Sequence, residues 1–200
     1  MFLSILMIFD PARAWNRIAA LGHEPVRVVS LHLIPMLLLV GGVEAYGAIH
    51  WGKVIRETGG RRFFEMNSVL TYQACYFGVS VLAVLLGAVF LRVLADTFQR
   101  RQRFAQALAV SAMGMGPVFL ARLADACPPV NPWVSWVVGA VVMVAVLYQG
   151  LPRVFHLDPA HALGTFMAGA MLMFLVTFMA RVFMLLFVQP KLLVPVAAGG

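Results

Sequence analysis

Asn67–Leu91 reads NSVLTYQACYFGVSVLAVLLGAVFL, 25 residues without a single Lys, Arg, Asp or Glu. A bilayer's hydrocarbon core takes about 20 mostly apolar helical residues to cross, so this segment can span it alone. Four further charge-free runs accompany it: Val28–Val43, Phe104–Ala121, Ala126–Pro152 and Pro159–Ala180. Together they commit nearly the whole 200-residue chain to lipid. Lipid holds no water to satisfy an open backbone N–H or C=O, so the spans should be helices. The expected fold is all-α: a polytopic five-transmembrane-helix bundle with a short N-terminal amphipathic interfacial helix.

Composition agrees with that class. The chain is 62% hydrophobic and 12% charged, and its mean hydropathy is +0.90. One soluble core could not bury that much apolar surface, whereas a five-span bundle turns it toward lipid. The expected organisation is an N-terminal segment over 1–27, a membrane domain over 28–189 and a short tail over 190–200. The spans fall at about 28–50, 68–95, 104–126, 133–151 and 160–188. The net charge of +7 comes from 13 Arg and 2 Lys against 8 acids. In a soluble protein that balance would suggest nucleic acid. Here the basic residues sit at span ends and in short loops, which points to anionic lipid head groups and not to nucleic acid. Cys75 and Cys127 lie at different depths, so a disulfide is not expected, and no Cys/His spacing fits zinc.

The first nine residues, MFLSILMIF, lack a basic n-region and a full-length apolar stretch, so the first span should act as the targeting signal. Asp10-Pro11 is a good N-cap and first helical residue. After it Ala12, Trp15, Ile18 and Ala19 recur at helical spacing, with Arg13, Asn16 and Arg17 on the other side. The expectation is a helix lying in the membrane interface, Arg13 and Arg17 toward water and Trp15 at head-group depth. Asp158-Pro159 repeats the same cap. Gly114, Gly116 and Pro117 should kink the third span, and Trp133 and Trp136 should anchor the fourth. On the N-terminal, near side the loops carry Arg13, Arg17, Arg27, Arg100, Arg101, Arg103 and Arg153. The far loops carry Lys53, Arg56, Arg61, Arg62 and Lys191. That balance favours a cytoplasmic N-terminus.

The remaining polar residues must be explained against lipid, where a charge costs at least about 2.5–3.5 kcal/mol. Arg92 and Asp96 are four apart, and Arg122 and Asp125 three apart, so each pair can close within its own helix. Glu44 and Arg181 have no such local partner. They lie six and seven residues before the far ends of spans that run in the same direction, and therefore at similar depth. The second span enters from that side with Gln73 and Tyr76, and Gln73, Tyr76, Ser80, Ala83 and Gly87 form a polar-to-small face suited to close packing. The expected site is an intramembrane polar network of Glu44, Gln73, Tyr76 and Arg181, with Arg122 as a further member. It reads either as a lock on the bundle or as a ligand or ion site. His32, near the opposite face and level with Gln149, reads as a packed histidine. No HExxH, GxSxG, P-loop or paired-aspartate motif occurs, so no catalytic residue, metal or cofactor is assigned. The methionines read as soft packing.

Two segments carry a likeness: FDPARAWNRIAALGHEP at the start and LYQGLPRVFHLDPAHALGTFMAGAML after the fourth span. With five spans and the basic turn QRRQR at Gln99–Arg103, the chain resembles the Yip family of Ypt/Rab-interacting membrane proteins, in its bacterial branch. That resemblance implies a non-enzymatic integral membrane protein that organises membrane or partner proteins, as in membrane shaping and trafficking. In a bacterium it implies the inner membrane, with a membrane-protein partner or a homo-oligomer. The alternative is a small transporter or channel using the polar site around Glu44 and Arg181, with the Gly114–Pro117 break as a hinge.

Overall fold

A computed structural model describes residues 13, 15, 29–54, 61–97, 103–155 and 159–192. Helix α1, Ile34–His50, is led in by a π-turn over Val29–Leu33. It stops where Trp51 donates its N–H to the Gly47 carbonyl and Gly52 takes φ 65°. Only glycine adopts that left-handed position without strain, which makes it the usual residue just past a helix end. Residues Lys53–Val54 and Arg61–Arg62 then pair antiparallel as a two-residue ladder, too short to alter the all-α class. Helix α2 runs Met66–Thr97, α3 Phe104–Gly114 and α4 Gly116–Ala121, followed by a 3-10 turn at Arg122–Ala126. Helix α5 covers Pro132–Phe155 and α6 Pro159–Phe183. A second π-turn, Met184–Val188, leads into α7, Gln189–Leu192.

Five helical stretches are long and apolar enough to cross a membrane: Leu31–His50, Met66–Thr97, Phe104–Ala126, Pro132–Phe155 and Ala162–Leu192. The third is the most enclosed, with 72% of its apolar stretch buried. It breaks at Met115, between α3 and α4, where Gly116 and the N–H-less Pro117 interrupt the helical ladder. The helix is thus interrupted at the place where composition leads one to expect a kink. In the fourth stretch Pro152 sits inside the last helical turn and α5 continues to Phe155, past the residue where the sequence reading ends that span.

Packing follows side-chain size. The second span lays its small face, Ser80, Ala83, Gly87 and Ala88, against the third. There Ser111 Oγ donates to the Val84 carbonyl at 2.7 Å. A Cβ at Gly87 would collide with Ser111, Met115 and Met173, so glycine lets three spans close on one point. The third span also contacts the first and the fourth, and the fifth packs on the second and the fourth. The outward faces are apolar, including Leu82, Leu86 and Val93 on α2, Val137 and Val141 on α5, and Met167 and Met171 on α6. An apolar exterior around a bundle that buries its charges is the arrangement lipid requires.

Candidate functional site

Ten polar or charged side chains are buried among the described residues, and four of them carry charge at one end of the bundle: Glu44, Arg122, Asp125 and Arg181. Glu44 lies near the end of α1, Arg122 and Asp125 in the 3-10 turn that closes the third span, and Arg181 near the end of α6. Spans one, three and five end on the far side, so these residues share a depth. Each is 6% exposed or less. Charges this enclosed persist only when paired and hydrogen-bonded.

They form two pairs. In the first, the Arg122 guanidinium contacts the Glu44 carboxylate directly. Gln73 closes the ring: its Nε2 donates to Glu44 Oε2 at 3.1 Å, and its Oε1 accepts from Arg122 Nη2 at 3.3 Å. The guanidinium lies over the Tyr76 ring, 3.0 Å from its centroid, a cation–π contact strengthened by the burial of Arg122. In the second pair, Arg181 Nη2 donates to Asp125 Oδ2 at 2.8 Å and to the Pro132 carbonyl at 2.7 Å. Ser135 Oγ donates to Asp125 Oδ1, so the carboxylate is held on both oxygens. Tyr72 stands within electrostatic reach of Glu44, Arg122 and Arg181, and its ring is 5.9 Å from the Arg122 guanidinium.

Glu44, Gln73, Tyr76 and Arg122 therefore meet as one group, while Arg181 belongs to a second. The expected pairing is exchanged: Glu44 takes Arg122 rather than Arg181, and Asp125 takes Arg181 rather than Arg122. Depth counting orders side chains along the membrane normal but says nothing of their angle around the bundle. The 3-10 turn packs on the first span and on the fourth. Arg122 is directed to the first and second spans, and Asp125 to the fourth and fifth. Sequence reading missed Asp125 and Ser135 as members of the site. The available signal was that all four charges, and not two of them, fall at one level. Arg92 and Asp96 do face each other within α2, at 3.9 Å, but both are about half exposed.

Near-side expectations change more. Arg13 and Trp15 are helical, and Arg13 is exposed. Trp15, however, is completely buried, and its Nε1 donates to the Val146 carbonyl at 3.0 Å. It faces into the bundle rather than into lipid. Its ring occupies the space over Gly150 that any Cβ there would fill. The cause is that an indole docked on a glycine buries its whole area and still satisfies its N–H. The two segments that carry the family likeness, DPARAW and LYQGLP, thus touch each other in the fold. Arg17 lies outside the described residues. His32 is buried near this same face. Cys75 and Cys127 are free and exposed.

Among the described residues no three His, Cys, Asp or Glu side chains gather as metal ligands. What the far-side arrangement does chemically is neutralise charge across spans: first to third through Glu44–Arg122, third to fifth through Asp125–Arg181, with the second and fourth hydrogen-bonded in through Gln73 and Ser135. No curated protein and no solved structure matches the chain. A family model does, the Yip1 domain, over residues 5–181. The matched region holds the docked Trp15, four spans with most of the fifth, and both ion pairs. With its five helical spans and this match over most of its length, the chain belongs to the Yip1 domain family of integral membrane proteins.

Proposed function

We propose that this protein is a non-enzymatic membrane scaffold that organises the bilayer or partner membrane proteins, in the manner of a membrane-shaping or trafficking component. Its seat is the bacterial inner membrane, with the N-terminus cytoplasmic and the near face toward anionic lipid. The partner is another membrane protein or a second copy of the chain. One observation carries the reading. The far-side side chains that could have formed a transport site, Glu44, Gln73, Arg122, Asp125 and Arg181, are engaged with one another. A solute or ion binding there would first have to break a buried pair, and leaving one buried charge unpaired costs about 3–5 kcal/mol. The network therefore serves as a lock that holds a rigid, apolar-faced body in the membrane.

The test is crosslinking and pull-down from native membranes, run beside flux measurements on the reconstituted full chain. A scaffold yields a reproducible membrane-protein partner or a self-crosslink and no protein-dependent flux. A solute or ion flux abolished by Glu44→Gln would overturn this reading in favour of a small transporter or channel.

A further inference from the structure

Between the end of α5 and the start of α6, on the near side, lies a groove of about 750 Å³, open on one side. Tyr148, Gln149 and Arg153 line it from α5, and Ala162, Leu163 and Phe166 from α6. Its two halves differ in chemistry. Arg153 stands two residues before the end of α5, where a span of this length meets the head groups. One of its N–H groups reaches the Gln149 carbonyl at 2.6 Å. No carboxylate among the described residues pairs with it, and none lines the groove. Its other donors, in the flat fork that suits a phosphate, are available. Tyr148 lies five residues deeper along the helix, about 8 Å toward the bilayer centre. There it stacks edge-on against Phe166 at 5.1 Å. Tyr148 and Leu163 are 60% and 65% exposed, although they belong to a bundle that packs its core tightly.

We infer that this groove binds one anionic phospholipid, the phosphate on Arg153 and Gln149 and an acyl chain along Leu163, Phe166 and Tyr148. The occupant follows from the chemistry of the groove. The mouth is cationic, the wall is apolar, and the boundary between them falls where a phospholipid changes from head group to chain. A soluble anion would use only the mouth, and a lipid without a head-group phosphate only the wall. The inference rests on the near face meeting anionic lipid and gives that contact a residue and a stoichiometry.

Native mass spectrometry of the full chain in detergent, titrated with dioleoyl phosphatidylglycerol or dioleoyl phosphatidylcholine, tests it. The wild type should bind the first lipid preferentially at one copy per chain, by about fivefold, the factor equivalent to ~1 kcal/mol for one basic residue near an anionic surface. Arg153→Gln should lose that preference, while Arg103→Gln, at the exposed start of the third span, should keep it. Leu163→Asn, also at an exposed position, should weaken the dioleoyl lipid but not dihexanoyl phosphatidylglycerol. A preference that survives Arg153→Gln overturns the inference. So does equal binding of both lipids, or full displacement by millimolar inorganic phosphate, which would mark a free-phosphate site. None of these outcomes bears on flux or partner capture, so the scaffold reading stands or falls separately.

Discussion

Replacing Glu44 with Leu and Arg122 with Met, singly and together, tests the exchanged pairing directly. Each single change leaves a charge buried at 2–3% exposure with its ionic partner gone. Breaking a buried pair in this way costs about 3–5 kcal/mol. The double change removes both charges and fills their volume with apolar atoms, which is often neutral or even stabilising. What remains is the Gln73 amide, which loses both of its bonds in the ring. It is only partly buried, so that loss should cost about 1 kcal/mol. The singles should therefore each fall well below the double, with a coupling energy of about 3 kcal/mol or more. Unfolding free energies measured by steric trapping in bicelles give all four corners of the cycle. The matching cycle with Glu44→Leu and Arg181→Met should show a coupling under about 1 kcal/mol, because Arg181 is held by Asp125 and the Pro132 carbonyl. A Glu44–Arg181 coupling as large as the Glu44–Arg122 one would refute the reasoning.

Other consequences are smaller and equally checkable. Gly150→Ala places a methyl group where the Trp15 ring lies and should destabilise by about 1–3 kcal/mol, with a red shift in tryptophan emission. In a Trp15→Ala background the same substitution should be nearly silent, since the clash has been removed. Ser111→Ala deletes the hydroxyl that reaches the Val84 carbonyl and should cost about 0.6–1 kcal/mol in the same trapping assay. Arg92→Ala should change stability by less than about 0.5 kcal/mol, because its pair with Asp96 is half exposed.

Much of the near-side correction could not be read from the chain. The amphipathic pattern around Trp15 is the same for a helix lying on lipid and for one that inserts its indole into the bundle. The choice depends on whether another helix presents a gap of indole size. Gly150 supplies that gap, 135 positions later in the chain. A glycine inside LYQGLP has many possible uses, and only its neighbours in space select one. The family likeness contained both segments without stating that they meet. The break in the third span differs, because Gly114, Gly116 and Pro117 act on their own backbone. A proline lacks its N–H wherever the chain places it.

By itself the sequence determined that the chain crosses a membrane five times, because length and charge-free runs are properties of one dimension. It also determined that Glu44 and Arg181 lie at similar depth, because a helix rises by a constant amount per residue. Only the tertiary structure decided which acid holds which arginine, and that Trp15 is a core residue. Those outcomes depend on the rotation of each helix about its axis, which is set by the packing of all five spans together and not by any one of them.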